Sequence, residues 1–225
     1  HNLPVNFSIS VDLFYYSKEF FNVIGLEGNL QHYIKKNAIV AEGQRLVESF
    51  GITLGKRLFA MHPGCSSNYQ AKRWPVELFA KLSRDIHSKY EICTLVILGP
   101  DDKELRNNWK EESFVYFLDG YSIYDIAAIL SCCECLVSND SGIMHLGFSL
   151  GVPGIGLFGP TNSVRQEGRY SQSILIQSRY NSICPPCYGT DRYMECAKIP
   201  PPCMESITID EVLEKIEELF QLCVV

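Results

Sequence analysis

No stretch of the sequence approaches the ~20 consecutive apolar residues needed to span a bilayer, so no transmembrane helix is expected. Positive charge is also scarce. Twenty Lys and Arg face 26 Asp and Glu, a formal net charge of −6, and no basic cluster overrides that balance. A general nucleic-acid binder is therefore not expected. The start, His1-Asn-Leu-Pro4, has neither the basic nor the apolar region of an export signal and no initiator Met, which suggests a processed or trimmed chain. No Gly-x-Gly-x-x-Gly follows the first strand-like run, which argues against a dehydrogenase-type dinucleotide site.

What is present suits a globular domain. The 225 residues are 46% apolar, enough for a full core in one large domain, or one domain plus a fragment. Ten cysteines would suggest disulfides in a small secreted protein. With no export signal and a large core, a reducing cytoplasm with thiols or bound metal fits better.

From residue 58 onward, strand-like and helix-like runs alternate. Strands are expected at Leu58 to Met61, Ile92 to Leu98, Phe114 to Leu118, Cys135 to Ser138, Gly154 to Phe158 and Ser173 to Gln177. Helices are expected after Pro75, after Asp101, from Ser122, over Gly142 to Leu150 and from Thr208. Ser122-Ile-Tyr-Asp125 and Thr208-Ile-Asp-Glu211 have capping-box spacing. Alternation of this kind implies an α/β fold, a doubly wound, Rossmann-like parallel sheet covered on both faces. Residues 1–57 read as a linker or the remnant of another domain, with an aromatic-rich run over Val11 to Ile24 and a helix over Ala41 to Phe50. Residues 58–225 read as the nucleotide-binding domain.

Two loops stand out, each following a strand and opening a helix. They are His62-Pro-Gly-Cys-Ser-Ser-Asn-Tyr-Gln-Ala-Lys-Arg-Trp-Pro75 and Val137-Ser-Asn-Asp-Ser-Gly-Ile-Met-His-Leu146. Ligands of open α/β sheets bind at that edge. In the first loop, Gly64 allows close backbone approach, Ser66, Ser67 and Asn68 offer short donors, and Lys72 offers a point charge for a diphosphate. The alternative is a loop with an exposed surface lysine; Trp74 is expected in the core, orienting the loop. In the second, Ser141 and Gly142 open a helix whose N-terminus favours an anion. Asp140 either caps that helix or turns away to accept hydrogen bonds from sugar hydroxyls. His145 is either a hydrogen-bonded structural residue or part of the site. A third loop, Gly159-Pro160-Thr161, adds a hydroxyl and backbone amides. Together the loops look like a site for a phosphorylated sugar donor.

These motifs, with Leu98-Gly-Pro-Asp101, Gly151-Val-Pro153 and Leu157-Phe-Gly-Pro-Thr161, resemble glycosyltransferase family 9, the ADP-heptose:lipopolysaccharide heptosyltransferases, from about Arg57 to Phe220. The resemblance implies the C-terminal, donor-binding half of a GT-B enzyme that transfers heptose from an ADP-sugar with inversion and without a catalytic metal. It implies Lys72 on the donor phosphate with the region of Ser66, Ser67 and Asn68, and Asp140 on the sugar. It places the helix start from Ser141 through Gly142 to His145 toward the diphosphate. Gly64 belongs to the same cradle, and Gly99, Tyr121 and Thr161 to the nucleotide pocket. The implied partners are an ADP-sugar and a glycolipid or glycan acceptor, with peripheral association at the inner membrane where lipid-linked acceptors sit. The family's general base, an aspartate near the start of the N-terminal domain, has no counterpart in a Gly-rich first turn here. A nucleotide-sugar-binding module without activity of its own is the other reading.

Cys184, Cys187, Cys196 and Cys203 form a Cys-x2-Cys-x8-Cys-x6-Cys array in a Pro-rich stretch. Four thiolates suit a structural Zn²⁺, or an iron centre. The alternative is a cysteine-rich loop without metal.

Overall fold

The computed structural model describes residues 37–53, 55–170, 172–182, 184–194, 196 and 199–222. The aromatic-rich run over 11–24, like the rest of residues 1–36, lies outside the described residues. Helix α1, Asn37–Ser49, leads into the domain and starts ahead of the expected Ala41.

Six strands form one parallel sheet: β1 Leu58–His62, β2 Cys93–Leu98, β3 Val115–Asp119, β4 Cys135–Asn139, β5 Gly154–Phe158 and β6 Ser173–Gln177, in the order β3-β2-β1-β4-β5-β6. This is the doubly wound sheet that the alternation predicts. Its strands carry near-continuous apolar runs because both faces are covered. Side chains alternate between the two faces with the strand period. Leu58 and Ala60 join a core with Leu95, Leu118 and Leu136, under α1, α3 (Ile123–Leu130) and α4 (Gly142–Ser149). Phe59 and Met61 join the opposite core with Val96, Val137, Ile155 and Ile176, under α2 (Val76–Tyr90) and α5 (Ile209–Leu222).

Local chemistry sets the helix limits. Pro75 stands immediately ahead of α2, and Glu91 ends it in the left-handed conformation at φ 55°. The Ser122–Asp125 capping box forms in both directions at α3, and the Thr208 hydroxyl caps α5 at Glu211 N. The helix expected after Asp101 is only a 3-10 segment, Lys103–Asn108. Within that segment only Leu105 is apolar, too little to build the buried stripe that sustains an α-helix. Among the described residues, no helix is long and apolar enough to cross a membrane.

Strand β1 pairs in parallel with both β2 and β4. The chain therefore winds away from β1 in both directions and leaves a crevice outside the carboxyl ends of β1 and β4. The His62-Pro63-Gly64 and Asn139-Asp140-Ser141 loops both leave from there.

Candidate functional site

Two buried side chains tie the loops together. Asn139, at the end of β4, accepts a hydrogen bond from Trp74 N at 2.9 Å and donates through Nδ2 to Pro63 O at 2.8 Å. Trp74 is fully buried, and its Nε1 donates to Ile207 O at 2.9 Å, as expected of a core residue that orients the loop. The segment between them is short and fixed at both ends. Its 3-10 turn, Ser67–Lys72, consequently projects Lys72 inward.

Lys72 is only 8% exposed, so the surface-lysine alternative does not hold. Its Nζ donates to Asp140 Oδ2 at 3.0 Å, with both side chains about a tenth exposed. His145 Nε2 stands 3.5 Å from Asp140 Oδ1, and His145 Nδ1 shares a hydrogen bond of 2.8 Å with the Tyr170 hydroxyl. Burial alone would push the Asp140 carboxyl up. The hydrogen bond from His145 and the Lys72 charge outweigh it and hold the carboxyl well below the usual carboxylate range. The α4 cap is Ser141, whose hydroxyl accepts from Met144 N at 3.3 Å. Asp140 is thus free of the capping role and faces Lys72 and His145.

A second buried pair braces the same crevice from the β2 side. Arg73 donates to Asp102 Oδ1 at 2.6 Å, and Gly99 N donates to Asp102 Oδ2 at 3.2 Å. A methyl group on Gly64 would overlap the Asp102 carboxylate. The open space at Gly64, which the sequence reading assigns to a ligand, is therefore filled by Asp102. His62, buried beneath, has Nδ1 2.9 Å from Ile97 O, and burial pushes its pKa down.

The other expected site residues are spread along the same edge. Ser66 stands just ahead of the 3-10 turn, Ser67 opens it, and Asn68 lies on it, exposed. Gly142 is the first residue of α4. Thr161 Oγ1 is buried without a hydrogen-bond partner. Tyr121 stands apart, just after β3, with its ring 5.6 Å from that of Phe50.

The cysteine-rich stretch folds back over the first loop. Cys187 and Tyr193 are buried with Ala71 in a small cluster that includes Tyr69 and Tyr188. Cys203, on the one-turn helix Pro202–Glu205, is buried in the main core under α5. Burial, then the neighbouring thiols Cys184 and Cys196, push the Cys187 thiol up; burial pushes Cys203 up to about 11. These sulfurs are near enough to feel one another, yet among the described residues no group of three or more His, Cys, Asp or Glu is placed to hold a metal ion. The residues expected to bind zinc therefore do not fit that role. The reason is packing, since Cys187 and Cys203 are drawn into two different apolar clusters.

Sequence reasoning missed Arg73, Asp102, Asn139, Tyr170 and Tyr188. Asn139 alone carried a signal, as a buried-strand position where an apolar run gives way to polar residues.

Known proteins resemble this chain in sequence and in fold. The chain is 25% identical over 171 residues to lipooligosaccharide heptosyltransferase 2 of Campylobacter jejuni, covering 73% of this chain and 52% of that protein. It is 30% identical over 134 residues to lipopolysaccharide heptosyltransferase 2 of Escherichia coli K12, covering 55% and 37%. Its fold superposes on the structure of the E. coli ADP-heptose lipopolysaccharide heptosyltransferase II with a TM-score of 0.66 at 20% identity, covering 82% of this chain and 53% of that one. The chain thus spans about half the length of the curated relatives it matches. The model of the family described as glycosyltransferase family 9 (heptosyltransferase) matches residues 16–198, most of the sequence, and the chain belongs to that family.

Proposed function

We propose that this chain supplies the donor site of an inverting glycosyltransferase. It would take a heptose, or a related sugar, from an ADP-sugar and pass it to a lipopolysaccharide-type or other glycan acceptor on the cytoplasmic side of the inner membrane. The observation that carries this reading is the buried Lys72–Asp140 pair at the topological switch point, beside the start of α4. An ammonium has three N–H donors, and Asp140 takes one. The others can reach a diphosphate, where a fixed charge in a dry site neutralises the leaving group without need of a metal.

The remaining roles follow from position. Ser66, Ser67 and Asn68, with the backbone amides of Ser141 and Gly142 at the helix N-terminus, would hold phosphate oxygens. Asp140, kept ionised by its neighbours, would accept from sugar hydroxyls. Gly99 and Thr161 would line the nucleotide pocket, with Tyr121, packed near Phe50, at most at its margin, and the orphaned Thr161 hydroxyl supports a missing polar partner there. The E. coli neighbour is described as an ADP-heptose enzyme, which favours ADP over other nucleotides.

The test is a calorimetric titration with ADP, and UDP as control, on the wild-type chain and on Lys72→Gln, which keeps a donor facing Asp140. We expect ADP binding that weakens at least tenfold in the variant, with UDP much weaker. Absence of ADP binding by the wild-type chain overturns the reading.

A further inference from the structure

The cysteine-rich loop brings a second contact onto the Lys72 ammonium. Tyr188 lays its ring over Lys72 Nζ, 4.1 Å from the ring centroid; Tyr69 is more distant at 5.4 Å. The loop that carries Tyr188 is fastened on both sides. Tyr188 N donates to Pro160 O at 3.0 Å, joining it to the third loop of the site. The Thr190 hydroxyl donates to Cys187 O at 2.6 Å, closing the turn. The Tyr188 ring also packs against those of Tyr69 and Tyr193, with centroids 5.3 and 5.4 Å apart.

We propose that Tyr188 is a positioning residue that holds the Lys72 ammonium for the diphosphate of the donor, and that this is what the cysteine-rich loop contributes to the site. The proposal rests on the donor-site reading above. The physical reason lies in how a ring holds a cation. Its negative face attracts the charge without placing a second anionic acceptor beside it. Asp140 takes one N–H donor, and the ammonium, fixed from two sides, keeps donor capacity for phosphate. The ring also keeps water off one side of the charge, so its attraction for a diphosphate is less screened. A second carboxylate in place of the ring would fix Lys72 equally well but would repel the ligand. An aliphatic side chain would exclude water and leave the ammonium unheld.

Three variants of this chain test this: Tyr188→Phe, Tyr188→Leu, and Tyr188→Leu combined with Lys72→Gln. We expect Tyr188→Leu to weaken ADP binding roughly 2- to 30-fold, the range of a desolvated cation–π contact. Tyr188→Phe, which keeps the ring, should stay within about twofold of wild type on the same scale. In the Lys72→Gln background the Leu substitution should add nothing, because its effect runs through the ammonium. A residue that only packs would weaken binding to the same factor in either background. A ligand-free readout guards against misfolding. In ¹H–¹⁵N spectra of the lysine ammonium groups, the Lys72 signal, identified by its loss in Lys72→Gln, should carry a ring-current shift that survives in Phe and vanishes in Leu. ADP binding unchanged in Tyr188→Leu, or a Lys72 signal that does not move, overturns the role of Tyr188 while leaving the donor site standing. A wild-type chain that binds no ADP overturns both.

Discussion

Lys72 and Asp140 are held 3.0 Å apart with little access to water. Removing one member of such a pair leaves the other charge uncompensated, which costs about 3–5 kcal/mol. Asp140→Asn should therefore lower the melting temperature markedly. Its pH dependence follows from the carboxyl's position well below the usual range. A group whose folded pKa is depressed contributes stability above its unfolded value, about 3.9 for Asp, and loses it as pH falls through the folded value. The gap in melting temperature between wild type and Asp140→Asn should thus narrow as pH falls below about 4. Thermal unfolding followed by circular dichroism checks this, and a gap that stays unchanged from about pH 4 to about pH 2 would mean that the Asp140 charge does not stabilise the fold. That Lys72, Asp140 and Ser141 lie together at one sheet edge was legible because each sits in a short loop between a strand and a helix. Which of Asp140 and Ser141 caps α4 was not, since both residue types suit a cap and only the inward reach of Lys72 decides. Asp102 and Tyr188 were illegible for a related reason. Each meets its partner across a long sequence separation, and nothing local marks Gly64 as space for a carboxylate rather than for a ligand.

At the scale of elements, α1 shows how closely the first described helix is bound to the domain. A methyl on Gly43 would overlap the backbone carbonyl of Ala128 in α3, and Cys132 Sγ lies close by. Helix propensity alone favours Gly43→Ala by about 1 kcal/mol. Overpacking costs about 1–3 kcal/mol, and a carbonyl within a helix cannot swing aside as a side-chain tip can. The steric term should win, so Gly43→Ala should lower the urea midpoint with little change in slope. A raised midpoint would show that α1 can shift away from α3 at little cost. The strands were largely legible, with Gly154–Phe158 and Ser173–Gln177 found at their expected limits. Buried parallel strands are short apolar runs cut by Gly and Pro, so their boundaries are written locally. The segment after Asp101 was misread because charge and length alone suggest a helix, and the missing apolar stripe gives it nothing to pack.

Considered whole, the molecule presents one sheet edge with a cation, a helix start and an orphaned hydroxyl, all of them suited to holding a donor. Transfer with inversion further requires a base to take the proton from the acceptor hydroxyl, with a pKa near the working pH. The two carboxylates bracing the crevice are poor candidates. Asp140 is paired with Lys72, and Asp102 with Arg73. His145 and the Lys72 cation hold the Asp140 carboxyl well below the usual carboxylate range, which makes it a weak base, and Asp102 is committed to the buried pair with Arg73. The curated relatives run to about twice the span matched here, which leaves room for a base outside the part they share with this chain. We therefore expect the chain, given an ADP-sugar and a glycan acceptor, to bind ADP yet transfer sugar well below ~1 s⁻¹, the lower end of ordinary enzyme turnover. Binding and product formation should be measured on the same preparation. Binding without turnover fits a donor half whose base lies elsewhere, and a non-catalytic module would behave the same way until an acceptor half is supplied. Turnover at ordinary rates would place a working base within these 225 residues. Residues 1–36, outside the described fold, would then be the first place to look for it.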